Sequence, residues 1–194
     1  MNPDSEEANL FYELFSACES KLLLYAGTLT GDLESARDIV QASFIKLAKA
    51  LRERKRQPSG EALLAAEEHR KRWRAWLFTV TRHGALDHLR KRKTIVPEEV
   101  LMSLPSACPT PRRALERADL VNRILQCLER LTRSQREAIR LRFQDDLSYK
   151  EIAQVMNVSV TNVGFLLHAG LKKLRELLQD ELQAMSFGCD GETL

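Results

Sequence analysis

Residues Trp73–Lys93 read WRAWLFTVTRHGALDHLRKRK. Apolar residues fall at Trp73, Trp76, Leu77, Val80 and Gly84, the i, i+3, i+4, i+7 spacing of one helix face. The stretch holds both tryptophans of the chain and closes on Arg90, Lys91, Arg92 and Lys93 in a row. At ~1.5 Å per residue such a helix is roughly 30 Å long. One face can dock on a core while the other lies along a polyanion. A plain surface helix shows the same pattern, because cations in the last turn suit the negative end of the helix dipole. The rest of the chain decides between the two.

The chain has 194 residues, 44% of them apolar and 29% charged, with 8 Gly and 6 Pro. That is room for one domain or two small ones, in a composition too apolar for wholesale disorder. The net charge is only +3, but it is segregated. Residues 1–38 carry two cations against eight carboxylates, whereas residues 70–93 carry nine cations against Asp87 alone. A segregated basic block is an electrostatic footprint for a polyanion. Cys18, Cys108, Cys127 and Cys189 form no CxxC or CxH pair, so they read as free thiols of a reducing compartment. No apolar run approaches the ~20 residues of a membrane span. The acidic start MNPDSEEANLF lacks a signal peptide's charge pattern. The expected location is cytoplasmic, without membrane insertion.

Working backwards, Leu10, Phe11, Leu14, Phe15, Cys18, Leu22 and Tyr25 form an apolar stripe on a helix opened by Ser5-Glu6-Glu7. Thr28–Gly31 punctuates, and Asp32 can cap the next helix. There Leu33, Ala36, Ile39, Val40, Phe44, Leu47, Ala48 and Leu51 recur at helical spacing, with Asp38, Gln41 and Lys46 off the stripe. Arg52–Gly60 reads as a loop, and Glu61–Arg72 as a weakly amphipathic helix. The basic helix ends near Lys93, before Ile95-Val96-Pro97.

Working forwards, Thr94–Thr110 holds Pro97, Pro105 and Pro109 and reads as a linker. A second helical block begins near Pro111 or Arg112, with Leu120, Ile124, Leu128 and Leu131 as its first stripe. Thr132–Gln135 and Ser148–Glu151 fit capping boxes. Between them Ala138, Ile139, Leu141 and Phe143 are expected to face a core, and Gln144-Asp145-Asp146 to end the helix. A short helix to Met156, a turn at Asn157, and a helix capped by Ser159 and running to about Leu178 make a helix-turn-helix. Ile152, Ala153, Val158, Val163 and Leu167 are its expected inner contacts. The fold class is all-α in two small domains.

At this point three stretches, in this order, resemble one family, the extracytoplasmic-function sigma factors of bacterial RNA polymerase. ARDIVQASFIKL (Ala36–Leu47) is similar to their polymerase-binding helix. WLFTVTRHGALDHLRKRK (Trp76–Lys93) is similar to their promoter −10 helix. Leu131–Leu178, through LTRSQREAIRLRF, LSYKEIAQVMNVSV and LKKLRELL, is similar to their C-terminal domain. The resemblance implies a domain at 1–93 for core binding and −10 melting, a linker at 94–111, a −35-reading helix-turn-helix at 112–180 and a tail at 181–194.

The resemblance also implies partners and residue roles. The partners are the clamp of core polymerase, promoter DNA and an anti-sigma factor. Asp38 and Gln41 are the polar candidates for the clamp, with Phe44 supporting the fold. Arg82, His83, Asp87, Arg90, Lys91 and Arg92 match the −10 segment, and Ser159, Thr161, Asn162, His168 and Lys172 match the −35 segment. The loop that captures an unstacked base falls somewhere in Arg52–Arg72.

Four cations on phosphates (Arg82, Arg90, Lys91, Arg92) would give log K a slope of about −3 to −4 against log salt. Asp87 also stands i, i+4 from Lys91, a pair worth ~0.2–0.5 kcal/mol. His83 and His88 are five apart and give no metal spacing. No cofactor and no metal is expected. There is no nucleophile–base pair, phosphate loop or metal cluster to suggest an enzyme. The other reading is a helix-turn-helix regulator acting without core polymerase.

One departure from the family stands out. The −35 helix usually carries a TVKSRLHRAR-like run, and here those positions read NVGFLLHAGLKK. The expected basic residues are replaced by Gly164, Leu166 and Ala169, with Phe165 beside them. Thr161 and Asn162 could still read bases, with apolar contacts to thymine methyls. Alternatively Phe165, Leu166 and Leu167 face a protein partner, or pack on the core.

Overall fold

The computed structural model describes residues 3–54, 66–93 and 123–187. All regular structure among them is helical. The helices are α1 (Pro3–Thr30), α2 (Leu33–Arg54), α3 (Ala66–Lys93), α4 (123–129), α5 (Arg133–Phe143), α6 (Tyr149–Met156) and α7 (Val160–Phe187). The chain divides into two compact units, Met1–Pro105 and Ser106–Leu194. Cys108, Cys189, Leu120, the expected linker and the expected start of the second block at Pro111 or Arg112 lie outside the described residues.

In the first unit α1, α2 and α3 each pack on the other two. Between α1 and α2 the chain reverses in two residues. Gly31 takes φ +71°, a left-handed conformation that suits glycine. Asp32 then caps α2, accepting the Ser35 N–H at 2.8 Å and the Glu34 N–H at 3.4 Å. Contacts between α1 and α3 run in the same sense along both, Glu13 to Arg70 and Tyr25 to Phe78. Those between α2 and α3 run in opposite senses, Ile39 to Gly84 and Ser43 to Thr81. The unit is therefore an up-down-up bundle.

Leu14, Cys18, Leu22, Tyr25, Ala36, Val40, Phe44, Leu47 and Leu51 are buried as the stripes predict, whereas Phe15 and Leu33 are exposed. α3 departs further. Its buried residues are Ala75, Leu77, Phe78, Thr81 and Ala85, while Trp73, Trp76, Val80 and Gly84 are only partly buried. At ~100° per residue, the buried face is turned about a third of a circle from the expected stripe. Small side chains bring the backbones close here. A Cβ on Gly84 would stand 3.0 Å from Cγ2 of Ile39. Thr81 is admitted to the core because its hydroxyl donates to Ser43 Oγ at 3.1 Å. The indoles lie at the edge, their rings 5.5 Å apart, and the Trp73 Nε1–H donates to Nε2 of His69 at 3.0 Å. The expected separate helix at 61–72 is instead, from Ala66 on, the first turns of α3.

The second unit is ordered by its caps. Thr132 and Gln135, and Ser148 and Glu151, form reciprocal capping boxes. Asn157 ends α6 at φ 55°, ψ 52°, where Asn tolerates the left-handed region. Ser159 Oγ accepts the Asn162 N–H at 3.1 Å and starts α7. Ile152, Ala153, Val163 and Leu167 are buried with Leu128, Leu131, Ala138, Ile139 and Leu141, and Val158 is partly buried. Each fully buried Leu or Ile contributes roughly 1.5–3 kcal/mol. The apolar pattern places Phe143 in the core, but it is 65% exposed. It closes α5 with its ring in solvent, and Asp145 and Leu147 beyond it are buried. α7 continues through Phe187, past the expected end at Leu178 and into the segment assigned to a tail.

Candidate nucleic-acid and protein-docking surfaces

α2 turns Ala36, Val40, Ser43, Phe44, Leu47 and Leu51 inward. Asp38 and Gln41 are exposed on the opposite side. Neither belongs to the core of the bundle, so a carboxylate and an amide stand together on the exposed side of α2. Phe44 is a core residue, its ring 4.9 Å from Phe15 and 6.1 Å from Phe11.

The last turns of α3 carry the cations. Arg82 is partly buried, and His83, Asp87, Arg90, Lys91 and Arg92 are exposed. At ~100° per residue, Arg82, His83, Arg90 and Asp87 fall within about 140° of arc, with Lys91 next to Asp87. Arg92 falls on the other side, close enough to Asp32 to act on it. Hydrogen bonds from the Ser35 hydroxyl and N–H hold the Asp32 carboxyl below its ordinary range, and the positive charge of Arg92 adds to this. Asp87 pairs with Arg90, Oδ1 to Nη2 at 2.9 Å, rather than with Lys91 as the i, i+4 spacing suggests. The structure thus groups five of the six sequence-selected residues and sets Arg92 apart. Of the 52–72 stretch expected to hold a base-capturing loop, 52–54 and 66–72 are helical, and 55–65 lie outside the described residues.

In the second unit the helix-turn-helix is α6, Asn157 and α7. Val163, Leu167, Gly170 and Leu177 mark the buried side of α7. Thr161, Phe165, His168 and Lys172 are exposed and follow i, i+4, i+7, i+11 along the side facing away from the core, with Asn162 beside them. Ser159 serves the helix as its cap. Leu167 belongs to the core, while Phe165 is 68% exposed. The rest of the apolar surface is not evident from the sequence pattern. The ring of Tyr149, at the start of α6, lies 4.0 Å from where a Gly164 side chain would begin, and the Arg142 guanidinium stands 5.9 Å from the centre of that ring. The signal for it is Gly164, whose missing side chain leaves the α6–α7 corner open. Among the described residues no group of three or more His, Cys, Asp or Glu side chains could hold a metal ion. No single helix among them is long and apolar enough to cross a membrane.

The chain resembles known proteins in sequence and in fold. Residues 122–174 match the family model described as sigma-70, region 4. The ECF RNA polymerase sigma factor SigX of Bacillus subtilis is 26% identical over 91% of this chain and 88% of its own length. The ECF RNA polymerase sigma factor SigW of the same organism is 22% identical over 90% and 91%. The fold is similar to that of the sigma factor RpoE of Bartonella quintana, solved with the anti-sigma factor NepR. That likeness has a TM-score of 0.57 at 23% identity, covering 87% of this chain and 95% of that one. With the three motifs in order and relatives matched over nine-tenths of its length, the chain is similar to the extracytoplasmic-function sigma factors.

Proposed function

We propose that this protein binds bacterial RNA polymerase core and directs it to promoters to start transcription. The observation that carries this is the likeness to sigma factors over nine-tenths of the chain, which takes in both units. We assign the clamp contact to Asp38 and Gln41, −10 binding and melting to the Arg82–Arg92 segment, and −35 binding to Thr161, Asn162, His168 and Lys172, with Ser159 setting the helix start.

The chemistry suits these roles. Strand opening needs a surface that holds phosphates and prefers single strand. The cations of α3 supply the first, and Trp73 and Trp76 border the same helix with partly buried rings. No covalent step is assigned to this chain. Its compartment follows from its partners, the cytoplasm. An anti-sigma factor is a third partner by analogy with the Bartonella quintana protein, which was solved with one.

Reconstitution tests the proposal. Purified chain mixed with core polymerase should co-elute with it and start transcripts from genomic fragments. If it binds DNA but neither co-elutes nor initiates, the regulator reading takes its place. That second reading is favoured by one observation, the absence of Lys and Arg between Lys150 and Lys172.

A further inference from the structure

The face of α7 that points away from the core carries an aromatic ring where a DNA-reading helix ordinarily presents cations. Phe165 is 68% exposed and contributes little to the packing of its own unit. It follows Gly164, beside which the Tyr149 ring is also exposed, so apolar surface continues from the start of α6 onto α7. No Lys or Arg occurs between Lys150 and Lys172. Cations border this surface instead: Lys150 at the start of α6, Arg142 against Tyr149, and Lys172 two turns beyond Phe165 on the same side. An apolar centre between cations is complementary to a duplex groove, with base edges in the middle and phosphates on either side.

We propose that Phe165 reads the −35 element by apolar contact with thymine 5-methyl groups in the major groove, giving this protein an A·T preference there. This rests on the sigma-factor reading above. Arg or Lys in a recognition helix makes bidentate bonds to guanine O6 and N7, whereas an apolar side chain can distinguish only the thymine methyl. Thr161, one turn earlier, carries a methyl of its own, and Asn162 can make the bidentate pair with adenine. The whole set Thr161, Asn162 and Phe165 suits A·T pairs. Lys172 and Lys150 then hold phosphates without selecting bases.

The test uses holoenzyme assembled from the full chain and core polymerase, on a promoter fragment whose upstream element has been footprinted. Thymidines of that element are replaced one at a time by deoxyuridine, which removes only the methyl. For the unmodified protein at least one replacement should weaken binding about fourfold, the equivalent of one buried methyl-sized group at ~0.8 kcal/mol. Phe165→Ala should abolish that difference, and Phe165→Leu should retain part of it. Core binding should be unchanged in both.

Two results overturn the proposal while leaving the sigma-factor reading intact. One is wild-type affinity for every deoxyuridine template. The other is an undiminished deoxyuridine effect, or unaltered promoter affinity, in Phe165→Ala, as a Phe165 that served a protein partner would give. If no holoenzyme forms, the sigma-factor reading fails and this inference falls with it.

Discussion

Gly170 of α7 lies against Ile139 of α5 so closely that a Cβ at 170 would stand 2.9 Å from Cδ1 of Ile139. It would also stand 3.2 Å from Cβ of Gln135, the residue that completes the Thr132 capping box. The glycine is what allows the two helices to cross at this distance. Gly164, six residues earlier, has room: its Cβ would meet only the edge of the Tyr149 ring at 4.0 Å.

The two glycines should therefore respond in opposite ways to the same change. Gly164→Ala recovers helix propensity without a clash and should stabilise the second unit by about 0.5–1 kcal/mol. Gly170→Ala recovers the same propensity but must push Ile139 and Gln135 aside, at about 1–3 kcal/mol for overpacking. It should destabilise, and Gly170→Val more so. Thermal unfolding of the full chain separates them. Equal stabilisation by both alanines would mean the α5–α7 contact is looser than described.

Asp38 and Gln41 share the outward side of α2, across the helix from Leu47. Asp38→Ala and Gln41→Ala should each weaken association with core polymerase by about tenfold, as loss of a hydrogen bond to a charged or polar partner would. Unfolding of the isolated protein should stay within about 0.5 kcal/mol. Leu47→Ala is the contrast: it removes a fully buried side chain and should lose about 2–5 kcal/mol of stability. Loss of stability in Asp38→Ala to the same extent would make that residue structural.

What is legible in the sequence follows the range of the interaction. Both capping boxes, the Asp32 and Ser159 caps and the left-handed turn at Asn157 are decided within four residues, and each is where the pattern places it. The buried face of α3 is decided by its neighbours. Trp73 and Trp76 dominate any apolar count, yet the side that fits against α1 and α2 is the one with Ala75, Thr81 and Ala85. Thr81 looks polar until Ser43, 38 residues away, accepts its hydroxyl proton. Gly170 likewise reads as a weak point of a helix until Ile139 is seen beside it. Spacing matches Asp87 to Lys91, but Arg90 makes the bond. The residues chosen for polymerase and DNA come from likeness to a family, not from periodicity, and their exposure is compatible with those roles.

Asp32 makes α2 sensitive to acid. Its carboxyl is held below the ordinary value of 3.8, first by the Ser35 hydroxyl, then by the Ser35 N–H, with smaller help from the Glu34 N–H and Arg92. A depressed folded-state value means the group stabilises above the unfolded-state value and loses that contribution as pH falls towards the folded one. Asp32→Asn keeps a capping oxygen but has no charge to lose. The difference in unfolding midpoint between the two proteins should be largest near neutral pH and shrink below about pH 4. A difference that does not change with pH would mean the charge on Asp32 contributes nothing to the cap.

The cations at the end of α3 should not contribute equally to DNA binding. Arg82, Arg90 and Lys91 lie on or beside one arc of the helix, whereas Arg92 lies on the other side, within electrostatic reach of Asp32. Removing a cation that neutralises one phosphate should flatten the dependence of log K on log salt by about 0.7–0.9. Arg90→Ala combined with Lys91→Ala should therefore reduce the slope of promoter binding by roughly 1.4–1.8. Arg92→Ala should leave it nearly unchanged. Asp87→Ala adds a test of sign. In the protein alone its carboxylate holds Arg90 at 2.9 Å, so removing it takes away a competitor for that guanidinium and should strengthen binding to any sequence. Weaker binding confined to one promoter position would instead make Asp87 a reader of bases. Equal slopes for Arg92→Ala and Arg90→Ala would show that DNA wraps around the end of α3 rather than lying along one side.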